Sequence, residues 1–229
     1  MIADINKFLE QVFAGMLSPT AEGKRFIWGA LYVAAAGVAL KFLWPTLGDM
    51  LGLAPLGFAA AFAFAYFFRN PERAAVFAPD EIACPADGRV LSVKNEGQPG
   101  VTVVRIFLSV FDVHIQRATM DGDIGEVVYT KGRFAVASAP EAAQNERNLI
   151  QIKSGARYAH VEQITGAIAR RIACWVKPGD AVKAGQRIGL IYFGSQAAIY
   201  LPDTARVLVK PGQKVEGGLT VLGLWNDNH

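Results

Sequence analysis

Two apolar runs near the start of the chain limit what it can fold into. From Phe26 to Trp44 every residue but Lys41 is uncharged, and from Met50 to Phe68 there are 19 residues without a charge. A bilayer core of about 30 Å needs about 20 helical residues at 1.5 Å each, so both runs are long enough to span. Lys41 lies near enough to the end of its run to snorkel. Lys24 and Arg25 precede the first run, Arg69 and Arg73 follow the second, and the connector Pro45–Asp49 carries no cation. Positive charge on the cytoplasmic side then predicts a hairpin with both ends inside. The Ala, Gly and Pro55 content leaves a buried helical pair or a re-entrant hairpin open as alternatives. A cleaved signal peptide fits badly, because the first run starts late and a second follows at once. Residues 4–17 place Ile5, Phe8, Leu9, Val12, Phe13 and Leu17 at helical spacing, which suits a bilayer surface or the protein's own core.

The composition agrees with this division. Hydrophobic residues are 52% and charged residues 19% of the chain, with the apolar excess before residue 70. A net charge of +3 without a basic stripe excludes a nucleic-acid partner and suits an anionic lipid surface. Cys84 and Cys174 stand in no metal or redox spacing, so two reduced structural thiols are expected and no metal site.

After Pro71 the texture changes to short β-rich runs separated by Gly, Pro, Asp and Asn. Strands are expected at 89–93, 101–108, 124–129, 149–152, 168–176, 188–193, 197–201 and 205–209, with a short helix at 139–145. The expected class is α+β: membrane-associated helices over 1–70, then a mainly β soluble domain over 71–229. Within it, Trp175–Gly189 has turn residues on both sides of a brief Ala-Val step and resembles the barrel-sandwich fold of biotinyl and lipoyl carriers. No Met-Lys-Met carrier site accompanies it, and shared fold does not transfer activity.

Several segments can carry chemistry. Gly194-Ser195 interrupts an apolar run, and a serine hydroxyl after a flexible glycine can reach back to the preceding carbonyl. Asp87, in Pro85-Ala-Asp-Gly-Arg89, sits in a tight turn before a strand. His114 lies in an apolar context beside Asp112 and Arg117, where an imidazole can move protons near neutral pH. His160 is a second titratable candidate. Asn145-Glu-Arg-Asn148 forms a polar cluster, and Arg170-Arg171 could clamp a phosphate.

Taken in order, these segments resemble the phosphatidylserine decarboxylase family in its short bacterial and archaeal form. The resemblance rests on Phe67-Phe-Arg-Asn-Pro71, Pro85-Ala-Asp-Gly88, Phe111-Asp-Val-His-Ile-Gln-Arg-Ala118, Asn145-Glu-Arg-Asn148, Gln163–Ile172 and Phe193-Gly-Ser195. It implies a proenzyme that cuts itself between Gly194 and Ser195, leaving a β chain of 1–194 and an α chain of 195–229 that begins with a pyruvoyl group. That group would serve as the electron sink for turning phosphatidylserine into phosphatidylethanolamine and carbon dioxide. By the same resemblance, Asp87 would help activate Ser195, and His114 would assist decarboxylation or protonate the carbanion. Longer members of the family carry a second histidine where this chain has Arg117. Either His114 serves both stages or another group such as His160 supplies the base. Arg170 and Arg171, with His160, are the expected headgroup contacts. The implied location is the inner membrane with the catalytic domain on the cytoplasmic side, and association into a homodimer is left open. A competing reading is a membrane-anchored β-sandwich adaptor that catalyses nothing.

Overall fold

The computed structural model describes residues 13–96, 99–135, 144–166, 171–192 and 195–226. They fall into two units, Met1–Glu72 and Arg73–His229. The first is helical. Residues 13–17 form a helical turn, and residues 4–12 of the expected amphipathic helix lie outside the described residues. Thr20 caps the next helix, Ala21–Leu43, by accepting a hydrogen bond from the Gly23 N–H at 3.3 Å. Pro45 begins a short helix, Pro45–Leu51, and Gly52, at φ 57°, turns the chain into Leu53–Phe67. Lys41 pairs with Asp49 at 2.7 Å beside this turn.

The two long arms pack through their smallest residues. Ala30, Ala34 and Gly37 on one arm and Gly57 and Ala61 on the other are buried. A Cβ at Gly57 would collide with the Ala34 backbone, so the helices touch almost backbone to backbone. The large side chains point the other way: Trp28 is 58% exposed, Tyr32 71%, Phe42 84% and Phe62 60%. A helical pair in water buries its large apolar groups, and this pair presents them outward. Ala21–Leu43 and Pro45–Phe67 are each long and apolar enough to cross a membrane.

The second unit is mainly β. Its strands are β1 (Glu81–Ala83), β2 (Gly88–Asn95), β3 (Val101–Leu108), β4 (Ile115–Arg117), β5 (Gly122–Thr130), β6 (Arg147–Ser154), β7 (Arg157–Ile164), β8 (Ile172–Cys174), β9 (Ala181–Val182), β10 (Arg187–Ile191), β11 (Ser195–Pro202), β12 (Ala205–Val207), β13 (Lys214–Val215) and β14 (Val221–Trp225). A curled eight-stranded sheet runs β13-β2-β3-β11-β7-β6-β5-β9, accompanied by β1-β14-β12 and β4-β10-β8. Period-two alternation turns Val104, Ile106, Leu108, Ile150, Ile152, Val161, Ala197 and Ile199 into one core. The residue before or after each of these faces the opposite side.

The unit repeats itself. Val176-Lys-Pro-Gly and Val209-Lys-Pro-Gly introduce the paired strands β9 on β5 and β13 on β2, and β10 pairs β4 as β14 pairs β1. The backbone bonds match as well. Gly185 N–H donates to Ala118 O at 2.8 Å where Gly218 N–H donates to Cys84 O at 2.7 Å. Ile191 N–H donates to His114 O at 3.1 Å where Trp225 N–H donates to Asp80 O at 2.8 Å. In one half β6 and β7 form a tight hairpin with Ser154 opposite Arg157. In the other half β3 and β11 pair in the same way, with Leu108 opposite Ser195, and residues 109–194 are inserted between them.

Candidate active site

That insertion gathers the chemically distinctive segments. β2, β3 and β11 are neighbours, and at one end of them lie the first residue of β2, the last of β3 and the first of β11. Asp87 therefore immediately precedes one strand, the 109–114 connection bearing His114 follows the second, and Ser195 opens the third. Gly88 makes the first approach feasible: it has φ 146°, and a Cβ there would strike the Phe107 carbonyl. The strand after His114 bonds to the Asp87 turn through Arg117 N–H and Pro85 O at 2.8 Å. Gly194 lies outside the described residues.

His114 is fully buried. Its Nδ1 lies 2.9 Å from the Asp112 carbonyl oxygen. A carbonyl only accepts, so Nδ1 carries the proton, and in the neutral ring Nε2 holds the lone pair. The carbonyl is itself fixed. Asp112 Oδ2 accepts from the Ser109 N–H and hydroxyl, each at 2.8 Å, and Lys214 donates to Oδ1. Burial alone would raise the Asp112 carboxyl, but Lys214 and Ser109 outweigh it and hold it below its ordinary value.

Asp87 is also buried, and its oxygens are engaged. Arg73 reaches both, at 2.5 and 2.8 Å, and also donates to Gly217 O, while Gly217 N–H donates to Oδ1 at 2.8 Å. Burial would lower Arg73, yet its bond and attraction to Asp87 leave it above its ordinary value. Arg117, at the position of the longer members' second histidine, donates to Gly185 O at 2.8 Å. Burial, with repulsion from Arg73 and Arg187, pushes its guanidinium down to about 10 against the attraction of Asp87. Asp121 in the other half keeps the corresponding backbone bond, from Ala184 N–H at 2.8 Å, but stands exposed beside Lys183. The buried arginine clamp belongs to Asp87's half.

The remaining candidates are dispersed. His160 is on β7 three residues before Gln163 and faces the opposite side of the sheet, lining a cavity of about 360 Å³ with Glu162 and Tyr200. Burial lowers its imidazole, with Lys153 adding to the fall and Glu126 opposing it. Arg171 is exposed, and its carbonyl accepts from Tyr192 N–H at 3.1 Å. Arg170 lies outside the described residues. Asn145 is buried and laces Ala135 and Thr165 together, and Asn148 donates to Gln163 Oε1 at 2.9 Å. Of the short helix expected at 139–145, residues 139–143 lie outside the described residues. Both cysteines are free thiols, Cys84 buried and Cys174 exposed.

Three of the residues that bond within these groups carry little signal in the sequence. Arg73 reads there only as a cation flanking an apolar run. Gln116 and Gln163 are polar residues at inward strand positions, a signal that becomes visible once β4 and β7 are recognised as strands.

Comparison with known proteins places the chain in a family. The family model described as phosphatidylserine decarboxylase matches residues 60–223. The phosphatidylserine decarboxylase proenzyme of Carboxydothermus hydrogenoformans is 45% identical over 203 residues, covering 85% of this chain and 93% of its own. The proenzymes of the same name from Solibacter usitatus and Desulfotalea psychrophila are 40% and 38% identical, covering 84% and 72% of this chain and 93% and 80% of theirs. The chain belongs to the phosphatidylserine decarboxylase family.

Proposed function

We propose that this chain is a self-cleaving proenzyme that decarboxylates phosphatidylserine to phosphatidylethanolamine and carbon dioxide at a membrane surface. The observation that carries the reading is the meeting of the Asp87 turn, the His114 connection and the start of β11 at one end of neighbouring strands. Maturation would begin when the Ser195 hydroxyl adds to the Gly194 carbonyl and the peptide becomes an ester. Elimination then releases the 1–194 chain as a carboxylate, and the dehydroalanine left at 195 takes up water and loses ammonia to become a pyruvoyl group. A pyruvoyl group at position 195 would open β11 opposite Leu108, the residue from which the His114 connection departs. When formed, that group supplies an electron sink.

The chain's own residues do the rest. His114, protonated on Nδ1 by its bond to Asp112, offers Nε2 to accept the Ser195 hydroxyl proton and later to return a proton to substrate carbon. Arg73 holds Asp87 in place. His160, across the sheet from this group, is the less suitable maturation base. Arg171, whose carbonyl bonds to Tyr192, and Arg170 are candidate contacts for the anionic headgroup. The outward-facing large side chains of the helical unit support insertion into a bilayer, with the cationic flanks on the cytoplasmic side. We read the Trp175–Gly189 likeness to lipoyl carriers as one of architecture alone. A Ser195→Ala chain should stay intact and release no carbon dioxide from phosphatidylserine vesicles, whereas the parent splits and does. Cleavage of the Ser195→Ala chain would overturn the maturation scheme, and an uncut, inactive parent would favour an adaptor.

A further inference from the structure

Four buried groups form a continuous line of hydrogen bonds ending on the His114 backbone. Asn148 Nδ2 donates to Gln163 Oε1 at 2.9 Å, Gln163 Nε2 to Gln116 Oε1 at 2.8 Å, and Gln116 Nε2 to His114 O at 2.9 Å. The same carbonyl accepts from Ile191 N–H at 3.1 Å, four residues before Ser195. Asn148 is 2% exposed, and Gln163, Gln116 and His114 are at 0%. Gly189 on β10 leaves the space, since a Cβ there would press on Gln163 Nε2.

The repeat within the fold supplies an internal control. Gln116 is the middle residue of β4 and corresponds to Ile82 in β1, while Gln163, next to last in β7, corresponds to Leu201 in β11. Ile82 and Leu201 are fully buried hydrocarbon in the core. The backbone plan therefore tolerates apolar residues at these positions, and burying amides instead brings a desolvation cost that a purely structural core avoids. The amides occur in the half that carries His114.

We propose that Asn148, Gln163 and Gln116 are positioning residues that fix the His114 peptide against the strand leading to the cleavage junction. They act through the His114 carbonyl: by holding that peptide plane they set where the imidazole stands when Nε2 exchanges its proton. This rests on the reading of His114 as the proton-transfer group.

The test is the full-length protein carrying Gln116→Ile and Gln163→Leu together, the residues of the corresponding positions, with rates counted per cleaved α chain on phosphatidylserine vesicles. The expected result is a kcat lowered about tenfold or more by the misplaced imidazole, an unchanged KM and an undiminished melting temperature. A wild-type kcat, or a kcat that falls only in step with melting temperature, overturns the proposal. Should the pair not fold, Asn148→Asp keeps the shape and sets an acceptor against Gln163 Oε1. The same loss of kcat at constant KM is expected, and an unaltered kcat overturns the proposal. His114→Gln separates the two levels. Full activity there sinks the reading of His114 itself, whereas an inactive His114→Gln beside a fully active relay variant sinks only the relay.

Discussion

Arg73→Met should unsettle the second unit more than any exposed substitution, because it strands a carboxylate that the fold keeps from water. The side chains of Arg73 and Asp87 are only 8% and 9% exposed, and both carboxylate oxygens lie within hydrogen-bond reach of the guanidinium. Removing one member of a buried pair costs about 3–5 kcal/mol. Gly217 N–H and the nearby charge of Arg117 remain to Asp87, which argues for the lower end, about 3 kcal/mol. For a unit of this size that corresponds to a melting temperature lower by about 6–12 °C. Asp87→Asn in the Arg73→Met background removes the stranded charge and should recover much of the loss, so the two changes are strongly non-additive. Thermal unfolding of the four proteins in detergent measures the cycle, and a denaturing gel follows self-cleavage in each. A loss under 1 kcal/mol for Arg73→Met, or simple additivity with Asp87→Asn, would refute the clamp.

Further expectations concern pH and thiol chemistry. Asp112, held below its ordinary value in the folded chain, contributes stability that is present above the usual carboxyl value of about 4 and lost as pH falls below it. Asp112→Asn should flatten the acid limb of an unfolding curve and lower stability at neutral pH by about 1–2 kcal/mol, and an unchanged acid limb would contradict the assignment. Burial pushes the Cys84 thiol up to about 12, with Asp87 adding to the rise and a backbone hydrogen bond with Ala86 and the charge of Arg73 opposing it. In native protein a thiol reagent should modify Cys174 within minutes and Cys84 only on unfolding, and equal rates would show that Cys84 is accessible.

The alternating strands were the most legible part of the fold. Val101–Leu108 was expected over the residues it occupies, and the runs at 89–93, 124–129, 149–152 and 197–201 lie inside longer strands. β7 went unread because His160, Glu162 and Gln163 break its apolar rhythm, though Ala159 and Val161 keep the inward face. The strands β9 and β13 are too short to show a period, yet the two Val-Lys-Pro-Gly segments that precede them mark the repeat openly. Asp87, His114 and Ser195 were legible as residue types in motifs. Their common end of the sheet was not, because it arises from strand pairings between residues about 90 positions apart, Leu108 with Ser195. The arginine that clamps Asp87 was hidden by its position just after an apolar run, where a cation already has a topological explanation.

The measurement closest to the central claim is the intact mass of the protein purified in active form. The account requires two chains, 1–194 and 195–229, the shorter with a ketoacid in place of its first serine. A single species with the mass of the unbroken 229-residue chain, in a preparation that decarboxylates phosphatidylserine, would contradict it.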